Sequence, residues 1–333
     1  MLKAIAGFLV ALALAPAFAQ HNHHHMMMKH GAAKLETHDD AAAQLLIVRL
    51  GPLNLPAHSE HMAVTQPGTL FFATPVDGWL LAYHPRLTDE AGSTLPGALL
   101  HHVAFWNTRR SDFLCPNNQE HIFGAGGEMN EWQAVPGFGY RVHPGDRIRV
   151  TTMFANPTAD DHPQTFLEVK MEYRLAANTQ LKNVYLAWFD VGQCGDSSYD
   201  LKPGVNVTPG TLRLAYSGTL LGVGGHVHNY GRQLVLENTR RSESVATLNA
   251  RVDDQGRLLS IPIAYFLQTG GYRLNKGDAL KVTATYDNIS GHFLPEERWG
   301  LWWDISCPTM TPRCGSGWSG PNGNATLSQN VSI

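Results

Sequence analysis

Two short histidine motifs carry most of the chemistry this chain could do. The first is Leu99-Leu100-His101-His102-Val103-Ala104-Phe105-Trp106, and the second is Gly224-Gly225-His226-Val227-His228-Asn229-Tyr230-Gly231. Neutral imidazole is the commonest protein ligand for copper and zinc. On a strand, His-X-His points both rings to one face and can chelate one ion. An adjacent His-His pair points to opposite faces, unless a bulge or twist turns both rings the same way. Either motif alone is commoner as structure than as a metal site. The two together, in what read as matching places of a duplicated chain, point to metal.

The elements that must position these motifs read as β-strands. Gly145-Asp146 precedes an alternating strand from Arg147 and a turn at Asn156; Gly277-Asp278 precedes another, ending at Asn288, 132 residues later. Both segments follow the order turn, strand, Asn-turn. The histidine motifs recur at about the same offset (~125), a domain-sized period. The first half is expected over residues 43–177 and the second over 178–333. With 32 Gly and 19 Pro, many short Val/Ile/Thr/Tyr/Trp runs and no convincing long amphipathic helix, the chain is expected to be all-β. Two tandem antiparallel β-sandwiches fit that pattern.

Composition narrows the function. A net charge of -3, with 16% charged residues, lacks the basic face that nucleic acid needs. Residues 1–19 read as a secretory signal: Lys3, an apolar stretch over residues 5–14, then Ala17-Phe18-Ala19 as a small-X-small cleavage pattern. No later apolar run reaches the roughly 18 residues of a membrane span, so a secreted or periplasmic protein with no membrane partner is expected. Its four cysteines are then expected to be oxidised. Cys307 and Cys314 close a short loop, leaving Cys115 with Cys194, one from each half; zinc held by cysteines is disfavoured because no C-x-x-C spacing is present. Hydrolase signatures are missing: there is no Gly-X-Ser-X-Gly, no H-E-x-x-H and no phosphate-cradling loop before a helix.

Residues 20–42 read as a disordered tail. Within it lie His21, His23, His24, His25, Met26, Met27, Met28 and His30. Thioether sulfur suits Cu(I) and imidazole suits both copper states, so the mixture reads as copper capture. Elsewhere His121, His143 and His162 are expected to face solvent, His162 also being an alternative ligand for the first motif. His84 reads as structural, and Glu128 as an orienting partner for a ligand histidine or a turn stabiliser.

Taken in order, His101-His102, Phe123-Gly124-Ala125-Gly126-Gly127-Glu128, Val150-Thr151-Thr152-Met153-Phe154-Ala155-Asn156-Pro157 and His226-Val227-His228 resemble the copper type II, ascorbate-dependent monooxygenases. That family includes the peptidylglycine α-hydroxylating and dopamine β-hydroxylating enzymes, and the likeness runs from about residue 45 to 305. The chain also resembles stress-up-regulated nodulin-like proteins, through Leu100-His101-His102, His226-Val227-His228, Ser290-Gly291-His292 and Trp299-Gly300-Leu301. The monooxygenase resemblance implies two jelly-roll sandwiches, with a copper in each facing across a solvent cleft. It implies that His101 and His102 hold the first copper with a third histidine, where this chain has Met153. It implies that His226 and His228 hold the second with a methionine, where Trp299 stands and His292 is the available substitute. Met153 can still bind Cu(I); an indole is no useful ligand.

Three functions follow as expectations. One is a copper monooxygenase that hydroxylates a C–H bond of a small-molecule or peptide substrate with O₂ and an external reductant. Another is a non-catalytic periplasmic protein that stores or delivers one or two copper ions. The third is a metal-free secreted interaction module.

Overall fold

Alternation of apolar and polar residues dictates the elements. In the strand Ala279–Asn288 the side chains of Leu280, Val282, Ala284 and Tyr286 are buried while those between them are part-exposed, the pattern of a sheet with one face on a core. A computed structural model describes residues 30–189, 191–192, 194 and 200–294, together with the backbone of the strand Trp302–Pro308. The expected signal (1–19), the tail residues His21 to Met28, Trp299 and Cys314 lie outside the described residues.

Eight principal strands build the first half: β1 (Leu45–Leu55), β2 (Leu70–Ala73), β3 (Gly78–Thr88), β4 (Leu100–Ser111), β5 (Gln119–Gly126), β6 (Phe138–Val142), β7 (Arg147–Phe154) and β8 (His162–Leu175). Eight build the second: β9 (Lys182–Trp188), β10 (Gly204–Arg213), β11 (Gly222–His226), β12 (Gly231–Asn238), β13 (Glu243–Asn249), β14 (Ala264–Tyr265), β15 (Ala279–Asn288) and β16 (Trp302–Pro308). The first half pairs as β2-β7-β4-β5 and β1-β8-β3-β6, the strand orders of an eight-stranded jelly roll. Adding eight to each number gives the second half, β10-β15-β12-β13 and β9-β16-β11-β14. The protein is thus all-β, built on the jelly-roll pattern twice.

Parallel pairing of β9 with β6, through Lys182–Phe138 and Asn183–Gly139, joins one sheet of each half, and an edge strand Lys34–Asp40 beside β1, into a nine-stranded sheet. Each half keeps its own apolar core, one running from Leu46 to Tyr173 and the other from Ala187 to Tyr286. The halves also interlock. Phe113 and Leu114 pack against the second core, while Ile263 and Tyr265 pack against the first.

The duplication extends to single hydrogen bonds. Asp146 Oδ2 accepts from the His143 amide at 3.0 Å, and Asp278 Oδ2 accepts from the Asn275 amide at 2.9 Å. Both carboxylates also meet an arginine, Arg110 at 3.1 Å and Arg241 at 3.6 Å. Asn156 Nδ2 donates to the Leu55 and Asp160 carbonyls, as Asn288 Nδ2 donates to those of Leu201 and His292.

These equivalences correct the placing of the histidine motifs. Asn107 of β4 recurs as Asn238 of β12, both fully buried. His101-His102 lies on β4, whereas His226 ends β11, the counterpart of β3. The motifs therefore flank the same connection in each half from opposite sides, and their similar offset is not a structural equivalence.

Residues 20–42 are not uniformly a disordered tail. Lys34–Asp40 forms an edge strand against β1, with Leu35 packed on the first core. Backbone pairing and that one leucine outweigh the polar composition.

Cys115 and Cys194 form a disulfide, as the cysteine count suggested, and tie the β4–β5 loop to the segment after β9. Its 79-residue span restricts the unfolded chain. Replacing both cysteines with alanine is expected to lower the unfolding free energy by roughly 4 kcal/mol, measured by urea denaturation.

A buried polar network that sequence reasoning missed lies under β5. The Glu120 carboxylate accepts a short hydrogen bond from the Tyr140 hydroxyl and sits 3.7 Å from Arg110. Burial pushes the Glu120 pKa up to about 7, against the opposing pull of Tyr140 and Arg110. Between about 4.5 and 7 the folded state therefore binds more protons than the unfolded chain, and this contribution to stability falls as pH rises. Its size is on the order of 3 kcal/mol. Glu120→Gln is expected to remove this slope from the plot of unfolding free energy against pH.

Candidate metal centre

β4 opens with a bulge. Val103 pairs with Thr152 and His102 with Met153, but Leu100, not His101, pairs with Phe154. His101 is the extra residue, and the phase of the strand resets there. Leu100 and Val103 both enter the first core, so His101 and His102 are both released to the other face. Their Nδ1 atoms stand 3.1 Å apart. The bulge that an adjacent pair requires is present.

The second motif needs no such device. Val227 is fully buried in the second core, and His226 and His228 turn away from it together. Their Nε2 atoms are 3.0 Å apart.

The tertiary structure brings the two motifs into one cluster. The rings of His101 and His228 lie 4.4 Å apart, edge to face. The resemblance implies histidine pairs facing each other across a solvent cleft; here the two pairs touch instead. Because the halves interlock along a continuous sheet, the start of β4 and the end of β11 meet at their seam. A fifth histidine, His61, joins from the β1–β2 connection, with its ring 5.2 Å from that of His101. Gln66 holds it there: the Nε2 amide donates to the carbonyls of His61 and Phe154, and Oε1 accepts from the Phe154 amide. No spacing rule in the sequence singles out His61, since it stands 40 residues from the nearest motif.

Glu128 spans the seam from the first half. Its Oε2 lies 2.9 Å from His226 Nδ1, and its Oε1 accepts from the Gly126 amide. The buried carboxylate selects the tautomer with the proton on Nδ1, which leaves His226 Nε2 to face His228. His226 can approach because residue 126 is glycine: a Cβ there would stand 2.5 Å from His226 Nδ1 and 2.8 Å from Glu128 Oε2.

Within the cluster, His102 is held neutral. Burial, then the neighbouring His226 and His61, push the His102 pKa down to about 3. Among the described residues, no group of three or more His, Cys, Asp or Glu side chains is set as a ready metal site. The ring nitrogens meet in pairs, at the separation two imidazoles show on one ion with bonds of about 2.0 Å. The donor set fits copper or zinc. A cleft of about 460 Å³ opens over His61, His101, His226 and His228, with Asn156, Asn229 and Arg257 on its walls.

The remaining expected ligands fall differently. Met153 is buried, and its register places it on the same face as His102. His292 is exposed on the turn after β15, where its backbone serves Asn288 and Ser290, and it lines neither the cleft nor the small pocket behind His102 and His226. The backbone of His30 pairs with that of Gln66. His143 is exposed, as expected. His121 is not. It is buried between the indoles of Trp106 and Trp188, at 3.6 and 4.0 Å, and its Nδ1 lies 3.2 Å from the Asp112 carboxylate. Its place in β5 and a partner nine residues earlier outweigh the nearby turn residues. His84 bridges Glu131 and Glu172 on the surface, a structural role.

No family model matches the chain, and no curated protein does. Solved structures similar to it include the major capsid protein P2 of bacteriophage PM2, with TM-score 0.34 and 9% identity over 80% of this chain and 99% of that one. Another is PBCV-1 VP54, fitted into a reconstruction of the virophage Sputnik, with TM-score 0.34 and 9% identity over 85% and 95% of the two chains. A third is a peptide-N(4)-(N-acetyl-β-D-glucosaminyl) asparagine amidase, with TM-score 0.33 and 8% identity over 80% and 97%.

Proposed function

We propose that this chain is an exported copper-binding protein whose copper sits in the histidine cluster between its two sandwiches. The observation that carries the reading is the 4.4 Å approach of His101 to His228, which joins two histidine pairs from distant segments. Chance placement of surface histidines does not also supply a buried glutamate on one ring, a bulge that turns two rings together and a glycine that admits a third. Zinc shares this chemistry in part. The methionines of the tail and Met153 opposite His102 favour copper.

The chain's own residues have separable roles in this reading. His101, His102, His226 and His228 hold the metal, and Glu128 fixes the ring of His226. His102 stays neutral well below pH 6, so metal and proton do not compete there over the ordinary pH range. The tail captures copper outside the cluster and delivers it to the cleft.

A second reading is a monooxygenase, and the cleft favours it. Its volume is that of a small-ligand site, and it opens directly on His61, His101 and His228. Copper bound there would supply one-electron redox chemistry toward O₂ with an external reductant. The cleft residues would position the substrate against it.

The test is equilibrium dialysis of the full chain against Cu(II), and against Cu(I) under reductant. The comparison is a variant with His101, His102, His226 and His228 all changed to alanine. Tight copper lost in that variant supports the reading. Equal retention by both proteins would leave the tail as the binder and end it.

A further inference from the structure

The outer face of the sheet β2-β7-β4-β5 carries two cations that the fold leaves unbalanced. Ile148 and Val150 enter the first core, so Arg147 and Arg149 of β7 point the other way. Across the ladder Arg149 meets two aromatic residues, Phe71 of β2 and Trp106 of β4. Its guanidinium lies over the Trp106 ring at 4.6 Å, and that of Arg147 lies over Phe71 at 3.6 Å. Neither arginine forms an ion pair among the described residues. The Nε of Arg149 is shielded from solvent and meets no acceptor. Burial lowers the Arg149 pKa, and no carboxylate offsets it.

The duplication supplies a comparison within the same chain. Asp146 corresponds to Asp278 and Asn107 to Asn238, so Arg149 corresponds to Lys281 and Trp106 to Glu237. The pairing register agrees: Arg149 pairs with Trp106 and Phe71, and Lys281 pairs with Glu237 and Thr211. In the second half the cation is satisfied inside the fold, with Lys281 Nζ 3.1 Å from Glu237. Other strand arginines are satisfied in the same way, Arg86 by Glu168 at 2.7 Å and Arg232 by Asp287 at 3.3 Å. The first half has an indole where that carboxylate stands. It also has Arg147 where the second half has Ala279.

We propose that this face is an interaction surface for a protein partner that presents carboxylates on an extended segment. Guanidiniums on alternate residues of one strand stand roughly 7 Å apart. Asp or Glu side chains at alternate positions of an extended chain have the same spacing. A guanidinium meets a carboxylate with paired N–H donors. Arginine beside tryptophan and phenylalanine is also the composition that carries binding energy at protein interfaces. The patch is accessible: Phe71 is 40% exposed and Arg147 is open to solvent. The proposal is independent of the copper reading.

The experiment is fluorescence anisotropy of a labelled peptide of alternating Glu and Thr, titrated with the full chain in the presence of a chelator. Saturable binding that weakens with added salt is expected. The double variant Arg147→Gln, Arg149→Gln is expected to bind about tenfold more weakly. Lys281→Gln is the control, because its cation is already paired, and it should keep the affinity of the unaltered chain. Phe71→Glu sets a carboxylate across from Arg149 and should match the double variant without removing a cation. Far-ultraviolet circular dichroism checks that each variant is folded. No saturable binding by the unaltered chain, or equal affinity in the double variant, would overturn the proposal. Binding of the sulfated polysaccharide heparin but not of the peptide would overturn it too, by making the partner a glycan.

Discussion

Changing His101 and His102 to alanine is expected to cost the cluster its tight copper as completely as changing His226 and His228. Each double variant should weaken binding by more than about 100-fold, beyond what removing an outer-sphere partner alone typically does. The quadruple variant should add little. The reason is the contact between the pairs: with the His101 ring 4.4 Å from that of His228, removing either pair opens the wall of the other. Two imidazoles alone make a weak site. Separate sites, one per half, would behave differently, with each double variant losing one copper and keeping the other at unchanged affinity. Dialysis of the full chain and the three variants, corrected for copper held by the tail, separates the two outcomes. The latter result would restore the arrangement that the family resemblance implies.

Gly126→Ala should damage the same site without removing a ligand. Gly126 pairs with His102 across the β4–β5 ladder, and the ring of His226 lies over it. An added methyl group cannot share that space with Nδ1 and the Glu128 carboxylate, so His226 must move. Overpacking of this kind costs about 1–3 kcal/mol, and loss of the Glu128 contact should lower copper affinity by about 10–100-fold. Gly68→Ala is the control, because a Cβ there meets nothing within 4 Å. Urea unfolding and copper titration on both variants check the expectation. Equal copper affinity in the two would show that His226 is not held as described.

Much of the architecture was legible before any coordinates. Strand periodicity, the paired Gly-Asp turns and the paired Asn turns identified a duplicated all-β chain, because a sheet with one buried face must alternate. Cys115 with Cys194 was reached from cysteine spacing alone. The two histidine motifs stood out because imidazoles at such short spacings are within reach of one ion. The edge strand Lys34–Asp40 was missed, since its sequence is polar and only its pairing with β1 explains it. His121 was misread for a related reason: turn residues nearby said surface, while Trp106 and Trp188, 15 residues before it and 67 after, enclose it.

The sequence by itself determined the strand types, the duplication and the residues able to chelate, because these depend on spacing along the chain. Only the tertiary structure decided that the two histidine pairs share one seam, that His61 joins them and that Glu128 reaches across to His226. Those facts depend on how two sandwiches interlock along a shared sheet. Contacts between residues 40 to 127 positions apart leave no periodic trace in the chain.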